Sequence, residues 1–105
     1  MKGLYLEFYF QEFHKHNGIL LYEWLLETAK EMGIQGGSVF RGIAGYGRHG
    51  ILHEEQFFEL ASNVPVKAMF MVNADEAEQL LEKVKSEKIH LVYSKVPIEY
   101  ERLNG

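Results

Sequence analysis

Cysteine is absent from the 105 residues, which excludes disulfides, thiolate metal sites and cysteine nucleophiles. Proline occurs only twice, at Pro65 and Pro97, so few positions are barred from regular structure by a missing N–H. No apolar run approaches the roughly 20 residues that cross a bilayer. The opening Met1-Lys2-Gly3-Leu4-Tyr5-Leu6-Glu7 lacks the long apolar core and small-residue cleavage site of a secretory leader. A cytoplasmic protein, not embedded in a membrane, is the expectation. Cations are outnumbered, 11 Lys and Arg against 15 Asp and Glu, for a net charge of -4. That balance excludes broad nucleic-acid affinity, which needs several cations facing phosphates. No internal repeat or low-complexity stretch is visible.

What is present is the material of one globular domain spanning residues 1–105: 47% hydrophobic and 13% aromatic residues. Residues 3–11 alternate as a strand, with Leu4, Leu6, Phe8 and Phe10 on one side and Tyr5, Glu7, Tyr9 and Gln11 on the other. A polar connection through Asn17, a candidate N-cap, leads to a helix over Ile19–Met32 that stops at Gly33. A second strand runs from Gly37 to about Ile43, followed by a loop with a short helical piece over Glu54–Ala61. Val64–Val72 reads as a third strand. Asn73-Ala74-Asp75-Glu76 opens a second helix with the pattern of a capping box, and Ile89–Ile98 forms the last strand. The tail from Glu99 carries no pattern.

The order strand, helix, strand, strand, helix, strand predicts an α+β ferredoxin-like sandwich, an antiparallel sheet with both helices on one face. The helix-covered face takes Leu4, Leu6, Phe8 and Phe10 with Val66, Ala68, Phe70 and Val72. The other face then carries Tyr5, Tyr9, Met69 and Met71 with few charges. A continuous apolar patch of that kind predicts burial of the sheet face by self-association.

Six of the ten glycines lie between Gly36 and Gly50, where a strand bearing Arg41 opens into a loop. An arginine beside glycines can grip a phosphate or carboxylate, with main-chain N–H groups as further donors. Arg41, Gly42, Gly45 and Gly47 are therefore the candidate ligand-binding residues. A structural ion pair of Arg41 across a subunit boundary, and glycines serving only as turns, are the competing readings. Gly42-x-x-Gly45-x-Gly47 reverses the dinucleotide fingerprint, so a Rossmann site is rejected. Five histidines do not form a legible ligand set, and His49 and His53 share a helix face only if Gly50 is helical; no metal residues are assigned. No nucleophile and base are legible, so no catalytic residues are assigned. Glu27, Glu31, Glu78 and Glu82 read as solvated helix faces.

Gly33-Ile34-Gln35-Gly36-Gly37-Ser38-Val39-Phe40-Arg41-Gly42-Ile43-Ala44-Gly45-Tyr46-Gly47 resembles the signature of the family called domain of unknown function 190. That family's pattern is Gly-x-x-Gly-Ala-Thr-Val-x-Arg-Gly-x-x-Gly-Phe-Gly, with Gly37-Ser38 here for Ala-Thr and Tyr46 for Phe. Ile51-Leu52-His53 and Asn63-Val64-Pro65-Val66 stand where the family has a histidine and its next strand start. The family is similar in fold to the trimeric PII signalling proteins. The resemblance implies a homotrimer with ligands in the clefts between subunits. It also implies a partner-contacting loop over about residues 45–63, on which Arg48, His53, Phe57 and Phe58 are the candidate contact residues. The second glycine-rich loop with which PII proteins hold ATP phosphates has no counterpart, since Ser86-Glu87-Lys88-Ile89-His90 contains no glycine.

The resulting expectation is a PII-like regulatory protein sensing a small anionic metabolite, with an adenine nucleotide among the candidates. A protein or membrane-transporter partner would be reached through the loop. Two alternatives stay open: a divalent-metal-binding trimer like the CutA proteins, and a small ferredoxin-like enzyme.

Overall fold

The computed structural model describes residues 1–45 and 64–105. Its main sheet holds β1 (Lys2–Gln11), β4 (Gly37–Arg41), β5 (Pro65–Val72) and β6 (Val92–Glu99) in the order β4-β5-β1-β6. All three pairings are antiparallel. Helices α1 (Leu21–Glu31) and α2 (Ala74–Ser86) connect β1 to β4 and β5 to β6. The α+β sandwich anticipated from the element order is the fold observed.

Register fixes the core. Leu6 lies opposite Phe70, Phe8 opposite Ala68 and Phe10 opposite Val66, and all six are buried. Onto them pack Leu21, Leu25 and Ala29 of α1 and Ala77, Leu80 and Val84 of α2. Leu6, Phe8, Leu21, Leu25 and Leu80 have no exposed surface, and each such burial contributes about 1.5–3 kcal/mol. Phe8 meets Phe70 edge to face at 6.2 Å, the geometry that aromatic quadrupoles favour.

Helix ends follow their chemistry. Asn73 Oδ1 accepts the Glu76 N–H at 2.8 Å while the Asn73 N–H donates to Glu76 Oε1 at 3.0 Å, completing the expected capping box. Gly33, at φ 86°, ends α1, and the Ile34 N–H returns to the Ala29 carbonyl.

The start of α1 departs from expectation. Asn17 is not its N-cap: Asn17 (φ 52°) and Gly18 (φ 84°) form the tight turn of a small hairpin. Its strands are β2 (Lys15–His16) and β3 (Ile19–Leu20), with His16 opposite Ile19. Asn-Gly with both φ positive is the turn that matches strand twist, and it outcompetes an early helix start. The helix then begins at Leu21, whose N–H goes to the His14 carbonyl. The expected helical piece over Glu54–Ala61 lies outside the described residues.

Gly37 sits where a Cβ would fall 2.5 Å from the Phe70 ring, whereas a Cβ on Gly36 meets nothing within 4 Å. Gly37→Ala should therefore cost about 1–3 kcal/mol by overpacking, lowering the melting temperature by several degrees. Gly36→Ala should leave it within about a degree, and thermal denaturation followed by circular dichroism compares the two.

Candidate functional site

A concavity of about 1230 Å³ opens at the end of the sheet where β1 and β4 begin and β5 ends. Its floor comes from the sheet face opposite the one that α1 and α2 cover: Tyr5, Met69, Met71 and Ser38. These alternate with core residues on their strands, so the register that buries Leu6 and Phe70 necessarily turns Tyr5 and Met71 outward. One wall is the connection Gly33–Gly37 and the other is the tail from Tyr100.

The tail is held in place by backbone bonds. The Met1 ammonium donates to the Tyr100 carbonyl at 3.0 Å and the Tyr100 N–H donates to the Met1 carbonyl at 2.9 Å. The Tyr100 ring lies over Gly3, where a Cβ would stand 3.3 Å from it. Arg102 and Lys2 contribute cations to the rim, and Glu76 and Glu101 contribute carboxylates. The N-terminus of α2 reaches this cleft, but its capping box already uses the Glu76 N–H. The cationic side chains that could face an anion here are Lys2 and Arg102. Aromatic and thioether surface beside cations and backbone amides is suited to a flat ring carrying an anionic group.

Arg41, Gly42 and Gly45 lie elsewhere. Arg41 ends β4 opposite Val66, at the far end of the strand from the cleft. Its guanidinium donates to Glu12 of its own chain, an ion pair between an exposed arginine and a nearly buried carboxylate. The hydrogen bond and charge of Glu12 raise the Arg41 pKa further above its ordinary value. The Gly42 N–H is occupied by the Pro65 carbonyl at 2.7 Å, and a Cβ there would press on that proline at 3.1 Å. Glu12 also sends its N–H to the Val64 carbonyl at 2.8 Å. It thus fastens β1 both to the residue that ends β4 and to the one that precedes β5. Gly47, Arg48, His53, Phe57 and Phe58 lie outside the described residues.

Two further polar clusters stand apart from both places. On the uncovered face Glu7 accepts from the Tyr9 hydroxyl at 2.7 Å and the Ser94 hydroxyl at 3.2 Å, with Lys67 Nζ at 3.6 Å. The Tyr9 bond, opposed by burial and aided by Lys67 and Ser94, holds the Glu7 carboxyl below its ordinary pKa of 4.5. At the hairpin, His16 Nε2 meets Glu87 Oε1 at 2.9 Å and packs edge-on against Trp24. His16 and, after burial's opposing effect, Lys83 hold the Glu87 carboxyl low. Among the described residues no three His, Asp or Glu side chains gather as a metal site. Nor is any helix there long and apolar enough to cross a membrane.

Comparison with known proteins follows this geometry. Residues 3–95 match the model of the domain of unknown function 190, described as "Uncharacterized ACR". The chain belongs to that family. A UPF0166 protein of Aquifex aeolicus is 33% identical over 92 residues, covering 88% of each chain. Among solved structures, CPII from Thiomonas intermedia K12 bound to ADP and bicarbonate superposes with a TM-score of 0.68. It is 21% identical, over 97% of this chain and 91% of that one. A second CPII structure, described as a nitrogen regulatory PII-like protein bound to ADP, AMP and bicarbonate, gives 0.65 at 16% identity. It covers 96% of this chain and 97% of that one. These likenesses show a PII-like fold.

Sequence patterns alone did not single out the cleft of this DUF190 chain. Tyr5, Met69 and Met71 were legible as an outward face, but Tyr100 and Arg102 sit in a patternless tail. The one usable signal was the pair Gly36-Gly37 ahead of an outward-facing Ser38.

Two measurements test these electrostatics. Removing Arg41 strands a nearly buried carboxylate, whereas neutralising Glu12 leaves an exposed arginine in water, so Arg41→Ala should lower the melting temperature more than Glu12→Gln. For Glu7, the folded pKa lies below the unfolded one, so the unfolded chain binds more protons between the two values. Its contribution is full above the unfolded pKa of about 4.5 and fades as pH falls through the lower folded value. Glu7→Gln should then melt below wild type at about pH 7, with a deficit that shrinks as the pH falls below 4.5.

Proposed function

We propose that this chain is a PII-like regulatory protein that binds a small anionic metabolite, with adenine nucleotides the first class to test. The cleft beside Tyr5, Ser38, Met71, Tyr100 and Arg102 is the observation that carries this reading. Its volume of about 1230 Å³ exceeds what one small molecule needs. That excess suits a site completed by a second copy of the chain. The base would lie against Tyr5, Met69 and Tyr100, and the phosphates would face Arg102 and Lys2. The likeness to a nucleotide-bound PII-like protein supports the same ligand class.

Arg41, Gly42, Gly45 and Gly47 retain a proposed role as a second anion-contacting element, of which Arg41 lies at the opposite end of β4. Arg48, His53, Phe57 and Phe58 are the proposed contacts for a partner, a protein or a membrane transporter. Assembly is proposed to be homotrimeric, through the uncovered sheet face, in the cytoplasm. Regulation by binding, without turnover, is the role proposed.

A thermal-shift series on untagged protein tests this directly, using ATP, ADP, AMP, cyclic AMP and divalent metals. A ligand at about 100 times its dissociation constant adds roughly 2.7 kcal/mol, several degrees in a domain of this size. The expected result is a shift with one nucleotide that disappears in Arg102→Ala and persists in Arg41→Ala. Loss in Arg41→Ala alone would move the site to the far end of β4. No shift with any nucleotide would overturn the ligand class, and a shift with metal alone would favour the CutA-like alternative.

A further inference from the structure

We propose that Glu76, seconded by Glu101, limits the negative charge of the ligand this cleft accepts, so that cyclic and singly phosphorylated nucleotides are held in preference to triphosphates. The inference rests on the reading of the cleft as a nucleotide site and adds to it the residue that selects by charge. The cleft is lined by two cationic side chains, Lys2 and Arg102, and by two carboxylates, Glu76 and Glu101. Among the described residues its side chains therefore sum to no net charge. A helix N-terminus is the other usual source of attraction for phosphate, and here it is offset as well. The first turn of α2 carries Asp75 and Glu76, both acids that oppose the positive end of the helix. The Glu76 N–H in that turn is taken by Asn73 Oδ1.

Glu76 differs from Glu101 in being fixed. Its Oε1 accepts the Asn73 N–H at 3.0 Å, which pins the carboxylate at the wall of the cleft. Among the described residues no Lys, Arg or His pairs with it, in contrast to Glu7, Glu12, Glu78 and Glu87. Its charge is therefore unneutralised at the place where a ligand enters. The capping bond does not itself require an acid, because Gln at this position completes a capping box equally. The charge of Glu76 is thus separable from its part in starting the helix.

One phosphate set against Arg102 and Lys2 uses the cations of the lining. Every further anionic group then meets a cleft whose remaining charged side chains are carboxylates. Coulomb repulsion from a fixed carboxylate adds with each unit of ligand charge. The penalty therefore grows from cyclic AMP through AMP and ADP to ATP, while the base, which all four share, keeps the same contacts.

Isothermal titration calorimetry of wild type and Glu76→Gln with these four nucleotides, in metal-free buffer at fixed ionic strength, provides the test. The variant keeps the capping bond and should melt close to wild type. Wild type should bind AMP at least as tightly as ATP. Relative to its effect on cyclic AMP, Glu76→Gln should tighten ATP by about 3-fold or more, with ADP between. A wild type that prefers ATP to AMP, or a variant that shifts all four affinities by the same factor, would overturn the inference and leave the nucleotide site standing. No binding of any of the four to wild type would overturn the nucleotide reading and this inference with it. If Glu76→Gln fails to fold, Glu101→Gln on the exposed tail decides by the same comparison. A gain that grows with the charge of the nucleotide supports the inference, and a uniform change overturns it.

Discussion

The pairing of β1 with β5 is the constraint on which everything else depends. Eight residues of each strand lie in register, and that register puts Leu6, Phe8 and Phe10 with Phe70, Ala68 and Val66 under the helices. A slip of one residue would drive Glu7 and Lys67 into the core and expose Phe8 and Phe70. The same alternation that builds the core builds the other face, because each buried residue obliges its neighbours to point away. Tyr5, Met69 and Met71 reach the cleft for no reason other than that Leu4, Leu6, Phe70 and Val72 must not.

The cleft is shaped by side chains that are missing as much as by those present. Gly37 gives its space to the Phe70 ring, which lets the connection from α1 run close along the sheet. Gly3 gives its space to Tyr100, which lets the tail fold back as a wall. A Cβ at Gly3 would also stand 3.1 Å from the Val72 carbonyl. The result is a concavity between rigid strands, with the two mutual bonds of Met1 and Tyr100 holding its outer side.

Much of this fold was legible from periodicity and end signals. Alternation in residues 3–11 and 64–72 identified both central strands, and Asn73 with Glu76 identified the start of α2, because these signals are local and unopposed. The hairpin at Asn17-Gly18 went unread because a polar residue before an apolar stripe also looks like an N-cap. Only the positive φ at both positions separates the two. Less of the site was legible. Arg41 stood out by its glycine neighbours, yet its partner Glu12 is 29 residues away and comes within reach only when β1, β5 and β4 are assembled. Tyr100 and Arg102 had no signal, since a tail acquires a role only from what it folds against.

Several charges of this protein are paired internally. Glu7 with Lys67, Glu12 with Arg41, Glu87 with His16 and Lys83, and Glu78 with Lys95 are each satisfied within the chain. Such pairs position elements: they join β1 to β5 and β4, the hairpin to α2, and α2 to β6. Lys2 and Arg102 differ. Among the described residues neither has an ion-pair partner, and both face the cavity. Cations left without a carboxylate beside aromatic and thioether surface are placed where an incoming anion gains most, because no internal bond must first be broken. On this ground the cleft, ahead of the more conspicuous glycine-flanked arginine, is where ligand recognition in this fold is best sought.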